Sequence, residues 1–395
     1  MMYDTKKLKD LSVIKTGKLD SNAAVVHGMY PFFTCDPTTL RIDKWAYDTE
    51  AVLLAGNNAN GNYTAKYYKG RFNAYQRTYI IETVSDNVVL VRFLCYAMNQ
   101  QLRLLKTMSS GSTTKFLTIK MLHGLDIPCP SIEVQKRIIN ILGTLDDLID
   151  NNKKQVKLLE EVAQRLYKEW FVDLRFPGNE EVAIVDGIPE GWEKKTILEC
   201  LEMNIGGGWG KEEIKGKNII PGKVIRGTDI NDIKKGDFNN IPMRYHTEND
   251  KNKRALKVND IVFELSNGNI NNIGRSLFID EFILQNCGSF TICASFCKLL
   301  RPLDRIHAIM LYWEIQDMQL SGRMLPFKKQ GSNGINNFAF ETFLMHEVCI
   351  PNEQKLITTF ENIMKDIGNI QKQISLLSEA RDRLLPKLMS GEIEV

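Results

Sequence analysis

A chain of 395 residues, 43% hydrophobic and 25% charged, has the composition of ordinary folded domains and the length for two or three of them. Its net charge of +3 permits nucleic-acid binding through local patches without arguing for it. The N-terminus carries no apolar signal core, and the most apolar stretch, Val88–Leu105, is interrupted by Arg92 and Arg103, so a cytoplasmic protein without a membrane span is expected.

In chain order, Tyr3-Asp-Thr-Lys-Lys-Leu8 is followed by a strand-like run, Ala51-Val-Leu-Leu-Ala55. This leads into an asparagine-rich loop, Gly56-Asn-Asn-Ala-Asn-Gly-Asn62, and then into Lys66-Tyr-Tyr-Lys-Gly-Arg71-Phe-Asn-Ala-Tyr-Gln76-Arg77, which mixes cations, amides and aromatics. Val89–Leu105 has a helical pattern. Gly111-Ser-Thr-Thr-Lys115 comes next, and the turn Pro128-Cys-Pro130-Ser131 announces a long helix. Ile138, Leu142, Leu145, Ile149, Asn152, Val156, Leu159, Ala163, Leu166 and Trp170 then step alternately by four and three. That spacing is a coiled-coil seam, because 3.5 residues per turn keeps these positions on one stripe. Phe176-Pro-Gly178 to Gly187-Ile-Pro-Glu-Gly191 reads as a turn-rich linker.

The second half repeats this order. Trp192-Glu-Lys-Lys-Thr-Ile197 answers Tyr3–Leu8, and Gly206 falls opposite Gly17. Ile261-Val-Phe-Glu-Leu265 matches Ala51–Ala55 and leads into Ser266-Asn-Gly-Asn-Ile-Asn-Asn272. The run Phe290–Leu300 alternates and is apolar, so Cys287, Cys293 and Cys297 are expected as buried, reduced strand thiols rather than metal ligands. Ile306–Leu320 is helical, Gly331-Ser-Asn-Gly-Ile-Asn336 stands where Gly111–Lys115 stood, and Ile350-Pro-Asn352 announces a second long helix. The ladder recurs at Leu356, Phe360, Ile363, Ile367, Ile370, Ile374, Leu377, Arg381, Leu384 and Leu388, each 218 residues after its counterpart. The chain is a tandem duplication with a long helix closing each half.

About forty helical residues span about 60 Å. Neither helix buries its stripe alone, so antiparallel pairing of the two around a pseudo-two-fold axis is expected. Asn152 and Arg381 interrupt the seam, either to fix register or at a partly wet edge. Pro386 is expected to end or kink the second helix before Leu388.

Catalytic signatures fail on inspection. An adenine methyltransferase needs a glycine-rich cofactor motif and an acidic or asparagine-Pro-Pro-aromatic motif; the nearest approach, Cys35-Asp-Pro-Thr38, lacks the second proline and the aromatic. Gly206-Gly-Gly-Trp-Gly210-Lys211 is no phosphate loop, since Ile205 holds the first glycine position and Glu212 replaces the Ser/Thr; a flexible loop at a strand end is expected. The five histidines form no HxxxH or HExxH pattern, and His346 with Cys349 is an isolated pair. Glu213-Ile-Lys215 is too short a nuclease-like fragment to carry weight. No cofactor or metal is expected.

Reading DNA needs side chains that reach base edges, with cations beside them for phosphates. The candidates in the first half are Asn57, Asn58, Asn60, Asn62, Lys66, Lys69, Arg71, Gln76 and Arg77. Those in the second half are Lys211, Arg226, Asn267, Asn269, Asn271, Asn272 and Arg275, near further lysines at Lys215, Lys217, Lys223, Lys251 and Lys253. Asn/Gly clusters are also ordinary turn chemistry. Ser112, Thr113, Ser332 and Asn333 precede the long helices and suit either phosphate contact or a helix-entry turn.

Gly111-Ser-Thr113, Leu125-Asp-Ile-Pro-Cys-Pro130, Gln135-Lys-Arg-Ile138, Leu166-Tyr-Lys-Glu-Trp-Phe-Val-Asp173, Pro351-Asn-Glu-Gln-Lys355 and Arg383-Leu-Leu-Pro-Lys-Leu-Met-Ser-Gly-Glu392 together resemble the specificity subunit of type I restriction-modification systems. Val134 stands where that family usually has glutamate; the second copy keeps Glu353-Gln354. The resemblance implies two target-recognition domains, each reading one half of a split, asymmetric DNA site, with the helices as a ruler between them. It also implies two partner subunits that methylate adenine, restriction subunits driven by ATP as further members, and no chemistry in the specificity subunit itself.

The expected fold is α+β: target-recognition domains at 1–130 and 192–351, a first spacer helix at 131–171, a linker at 172–191, and a second spacer helix with its tail at 352–395. The expected seam comprises Leu142, Leu145, Ile149, Asn152, Val156, Leu159, Phe360, Ile363, Ile367, Ile370, Ile374 and Leu377. The competing reading is a coiled-coil adaptor whose two heads bind proteins; a self-contained nuclease is a weaker third.

Overall fold

The computed structural model describes residues 3–58, 61, 63–108, 115–288, 290–331 and 334–395, with Arg103 described by its backbone alone. The first half contains β1 (Thr5–Lys7), β2 (Ser12–Thr16), β3 (Tyr30–Phe33), β4 (Leu40–Ile42), β5 (Tyr47–Ala55), β6 (Asn57–Asn58), β7 (Ala65–Ala74), β8 (Thr78–Thr83), α1 (Val91–Met108), β9 (Lys115–Phe116), β10 (Asp126–Pro128) and the long helix α2 (Ile132–Tyr167). The second half contains β11 (Glu193–Thr196), β12 (Leu201–Gly206), β13 (Ile220–Ile225), β14 (Met243–His246), β15 (Ile261–Glu264), β16 (Ser266–Asn267), β17 (Ser276–Phe278), β18 (Thr291–Cys293), β19 (Cys297–Pro302), α3 (Arg305–Ser321), β20 (Asn336–Phe338), β21 (Glu347–Ile350) and the long helix α4 (Gln354–Ser390). The fold is α+β, in two compact units: Met1–Leu148 with Leu377–Val395, and Ile149–Leu376.

The first unit is built on a sheet of order β2-β8-β5-β7-β3-β4. Its first four strands are mutually antiparallel; β3 joins β7 in parallel and pairs with β4 in a hairpin. Ala51–Ala55 is the wholly buried end of β5, which explains an unbroken apolar run instead of an alternating one. In the second unit the order β12-β19-β15-β17 repeats the first four strands with the same antiparallel senses, and β13 joins β18 in parallel while pairing with β14. Each head is closed by a short antiparallel clasp between its first strand and the strand just before the long helix, β1 with β10 and β11 with β21. The repeat seen in the residues is therefore a repeat of topology.

Each head is tied to a helix start by a polar side chain. Gln135, fully buried, donates to the carbonyls of Val88 and Pro130 at 2.9 Å and accepts from the N–H of Leu90 at 2.9 Å. In the second unit Trp192 donates its indole N–H to Glu353 at 2.7 Å. Within the first unit Ile138 and Leu142 of α2 share a core with Leu388 and Met389 of α4, and Arg381 meets Asp146 at 3.2 Å. Within the second, Tyr167 and Trp170 lie edge-on to Phe360, and Asn152 donates to Gln373 at 3.2 Å. Both interrupting residues of the ladder thus have polar partners on the other helix. Every seam position is buried or half-buried.

Two details differ from expectation. α4 runs through Pro386 to Ser390. A mid-helix proline costs about 3 kcal/mol, but burying Leu388 and Met389 contributes roughly 1.5–3 kcal/mol each, so packing beyond the proline holds the helix together. Cys287 ends a helix, Glu281–Cys287, and is not a strand thiol; it is nonetheless buried and free, like Cys293 and Cys297. Among the described residues no helix is long and apolar enough to cross a membrane, and no cluster of His, Cys, Asp and Glu could hold a metal.

Candidate nucleic-acid interface

In each head the asparagine-rich segment and the segment before the long helix come together as one antiparallel edge, two-stranded in the first head and three-stranded in the second, where Lys328–Lys329 adds a strand. Asn57 and Asn58 pair with Phe116 and Lys115, and Ser266 and Asn267 pair with Asn337 and Asn336. A third element, the turn that leads into the strand beside the central one (β8 in the first head, β19 in the second), completes the edge. The carbonyl of Arg77 accepts from Gly56 N–H at 2.8 Å, and that of Phe296 accepts from Leu265 N–H at 2.8 Å. Arg77 and Phe296 are therefore structural counterparts.

Of the first-half candidates, Arg77 is exposed with its guanidinium over the Phe116 ring at 5.4 Å. Asn57 follows Gly56 on the same edge, its side-chain oxygen buried with no protein partner. Lys66, Lys69 and Arg71 stand on β7 and Gln76 in the turn beside Arg77, each with a partner of its own. Lys66 donates to the Asp36 carbonyl at 3.3 Å and to Thr39 at 3.1 Å, and burial lowers its pKa. Lys69 pairs with Glu50 at 2.9 Å, Arg71 with Asp48 at 3.1 Å, and Gln76 donates to Asp20 at 2.6 Å. Asn60, Asn62, Ser112, Thr113, Ser332 and Asn333 lie outside the described residues.

In the second head much of the predicted set builds the loop itself. Asn267 donates to buried Glu264 at 2.8 Å and accepts from Asn269 N–H at 2.8 Å; the Asn269 side chain accepts from Asn271 N–H at 3.0 Å. Asn272 donates to Asn267 at 3.5 Å. Arg275 pairs with Glu264 at 2.8 Å and donates to the Gly227 carbonyl at 2.9 Å. Arg226 grips Asp229 at 2.6 Å, which raises the pKa of its guanidinium, and also donates to the Asn240 carbonyl at 2.9 Å. Asn271 and Lys211 are exposed.

The Gly206–Lys211 loop is pinned, contrary to the flexible loop expected. Gly207 N–H donates to Cys297 and Gly208 N–H to Cys293, both at 2.9 Å. A Cβ at Gly207 would fall 2.2 Å from the Ala294 carbonyl oxygen, so only glycine permits this approach. The loop thereby holds Trp209 at a cleft of about 610 Å³ lined also by Arg226, Thr228, Asn267, Phe296 and Ile335. Trp209 and Phe296 were missed because an exposed aromatic in a turn has no periodic signal. Aligning Thr78-Tyr-Ile-Ile81 with Cys297-Lys-Leu-Leu300 would have set Arg77 opposite Phe296.

The model of the type I restriction modification DNA specificity domain matches residues 2–161. The chain is 36% identical over 163 residues to the EcoDI type I restriction enzyme specificity subunit of Escherichia coli, covering 41% of this chain and 35% of that one. It is 31% identical over 316 residues to the MjaIX specificity subunit of Methanocaldococcus jannaschii, covering 74% of this chain and 66% of that one. The two alignments thus span about a third and about two thirds of those relatives. A solved S subunit of a type I restriction-modification system from M. genitalium has the same fold, with a TM-score of 0.56 at 16% identity over 98% of this chain and 96% of that one. The chain belongs to the specificity subunits of type I restriction-modification systems.

Proposed function

We propose that this chain is a non-catalytic reader of double-stranded DNA, each head recognising one half of a bipartite, asymmetric site. The heads are target-recognition domains at 1–130 and 192–351, and α2 and α4 form an antiparallel coiled coil about a pseudo-two-fold axis that sets the spacing. The observation that carries this reading is the edge that recurs at one place in two matching sheets while its side chains differ. A constant scaffold with variable tips suits two different half-sites. Half-sites about 34–36 Å apart would lie on the same side of the duplex.

Two adenine-methyltransferase subunits dock on the long helices, one per half-site, with ATP-driven restriction subunits as further members. Leu158 and Val162, adjacent on α2 and exposed, supply an apolar contact of the kind such docking needs. Each methyltransferase must extrude its adenine from the stack, and a fixed spacing would register it.

The test is gel shift and footprinting of the chain with its methyltransferase partner, followed by exchange of one head for a relative's. Binding should fall steeply with salt, and the exchange should replace one half-site and leave the other. Salt-insensitive or absent DNA binding, with retention of protein partners on the isolated heads, would favour the adaptor reading instead.

A further inference from the structure

The turn tips at Arg77 and Phe296 hold one structural position with opposite chemistry. Arg77 presents a cation; Phe296 leaves 60% of its surface exposed. An exposed aromatic beside further apolar surface asks for a reason. This one does not sit in a loose loop. Ala294 N–H donates to Ile225 and Cys297 N–H to Ala294, both at 2.8 Å, while Gly207 and Gly208 donate to Cys297 and Cys293. Strand, loop and turn thus fix the tip in place before any ligand arrives, which reduces the ordering cost of binding.

Phe296 shares its cleft with Trp209 and Ile335 as the apolar lining. Beside the cleft, Lys211 is an exposed cation two residues beyond Trp209; Arg226 lines the cleft and Arg244 stacks on Trp209 at 4.8 Å, each with a carboxylate partner of its own. The nearby carboxylates Asp229 and Glu264 are buried and paired with Arg226 and Arg275, and exposed Glu212 is held by Arg244 at 3.1 Å.

We propose that Phe296 is a base-reading residue of the second head and takes the 5-methyl group of a thymine in the major groove, a proposal that rests on the DNA-reading function above. Among the groups that base pairs present in that groove, the thymine methyl is the apolar one. A phenyl ring beside Trp209 and Ile335 can cover it, whereas it offers nothing to the donors and acceptors of the other base edges. The counterpart position in the first head holds an arginine, the side chain suited to guanine O6 and N7. One position thus carries two different base preferences.

The experiment uses the complex with its methyltransferase partner and the half-site that head exchange assigns to the second head. Each thymine there is replaced singly by deoxyuridine, which deletes one methyl group. One replacement should weaken wild-type binding about fourfold, the effect of burying one such group. The Phe296→Ala complex should bind the thymine duplex at least that much more weakly and show no further loss with deoxyuridine; Phe296→Leu should retain part of the discrimination. The side chain is exposed, so thermal melting of both variants should match the wild type. If no deoxyuridine weakens binding, or the loss persists in Phe296→Ala, the methyl assignment is overturned and DNA recognition stands. If the wild-type complex shows no sequence-specific binding, both fall together.

Discussion

The two units share a topology and differ in how each head is joined to its helices. In the first, α1 meets α2 through polar contacts at a partly open surface. Arg92 reaches Asp147 at 2.8 Å, and Tyr96 donates to Asp146 at 2.6 Å, which also receives Arg381. Gly143 makes room for this, since a Cβ there would fall 2.9 Å from the Arg92 guanidinium carbon. In the second, the joint is an aromatic cluster of Tyr167, Trp170, Phe171, Trp192, Trp313 and Phe360. Buried Glu314 sits at its edge, accepting from Tyr167 at 2.8 Å and Arg323 at 2.7 Å, with His346 at 2.7 Å. The difference teaches that the repeat constrains strand order and helix stripe, while the chemistry of the joint is free to diverge.

This comparison can be broken by mutation. Glu314→Gln removes the carboxylate that faces His346 and one of the two that hold Arg323, Asp317 being the other, and should destabilise the second unit by about 3 kcal/mol, read by urea unfolding of the full chain. Burial alone would raise the Glu314 pKa, but the bonds from His346, Arg323 and Tyr167 win and hold it low. Its folded value therefore lies below the unfolded one, about 4.3. The stabilisation is present above that pH and lost as pH falls through the folded value. Glu314→Gln should flatten the acid limb of the wild-type stability profile, and an unchanged limb would mean that another carboxylate sets it. Asp146→Asn, in the partly exposed joint of the first unit, should cost no more than about 1 kcal/mol. A loss as large as that of Glu314→Gln would show the two joints to be energetically alike.

Much of the fold was legible because it rests on periodicity. The ladder from Ile138 to Trp170 and its copy from Leu356 to Leu388 needed only a spacing, and the runs at Ala51 and Ile261 needed only apolar character, unbroken in the first and interrupted by Glu264 in the second. Pro386 misled because propensity is local, whereas Leu388 and Met389 are held by a core formed elsewhere in the chain. The candidate site was legible in its parts and not in its assembly. The asparagine-rich segments were visible, but nothing in sequence says that Asn267 spends its amide on Glu264, or that Gly56 and Leu265 bond to turns that carry Arg77 and Phe296. Those are long-range pairings.

The central claim is that the paired helices measure the distance between two half-sites. Inserting seven residues into both α2 and α4, in phase with the ladder, adds about 10 Å of helix, the rise of about three base pairs. Methylome sequencing of cells carrying the lengthened chain should show both half-sites unchanged and the gap between them longer by about three base pairs. Altered half-site sequences with an unchanged gap would contradict the account.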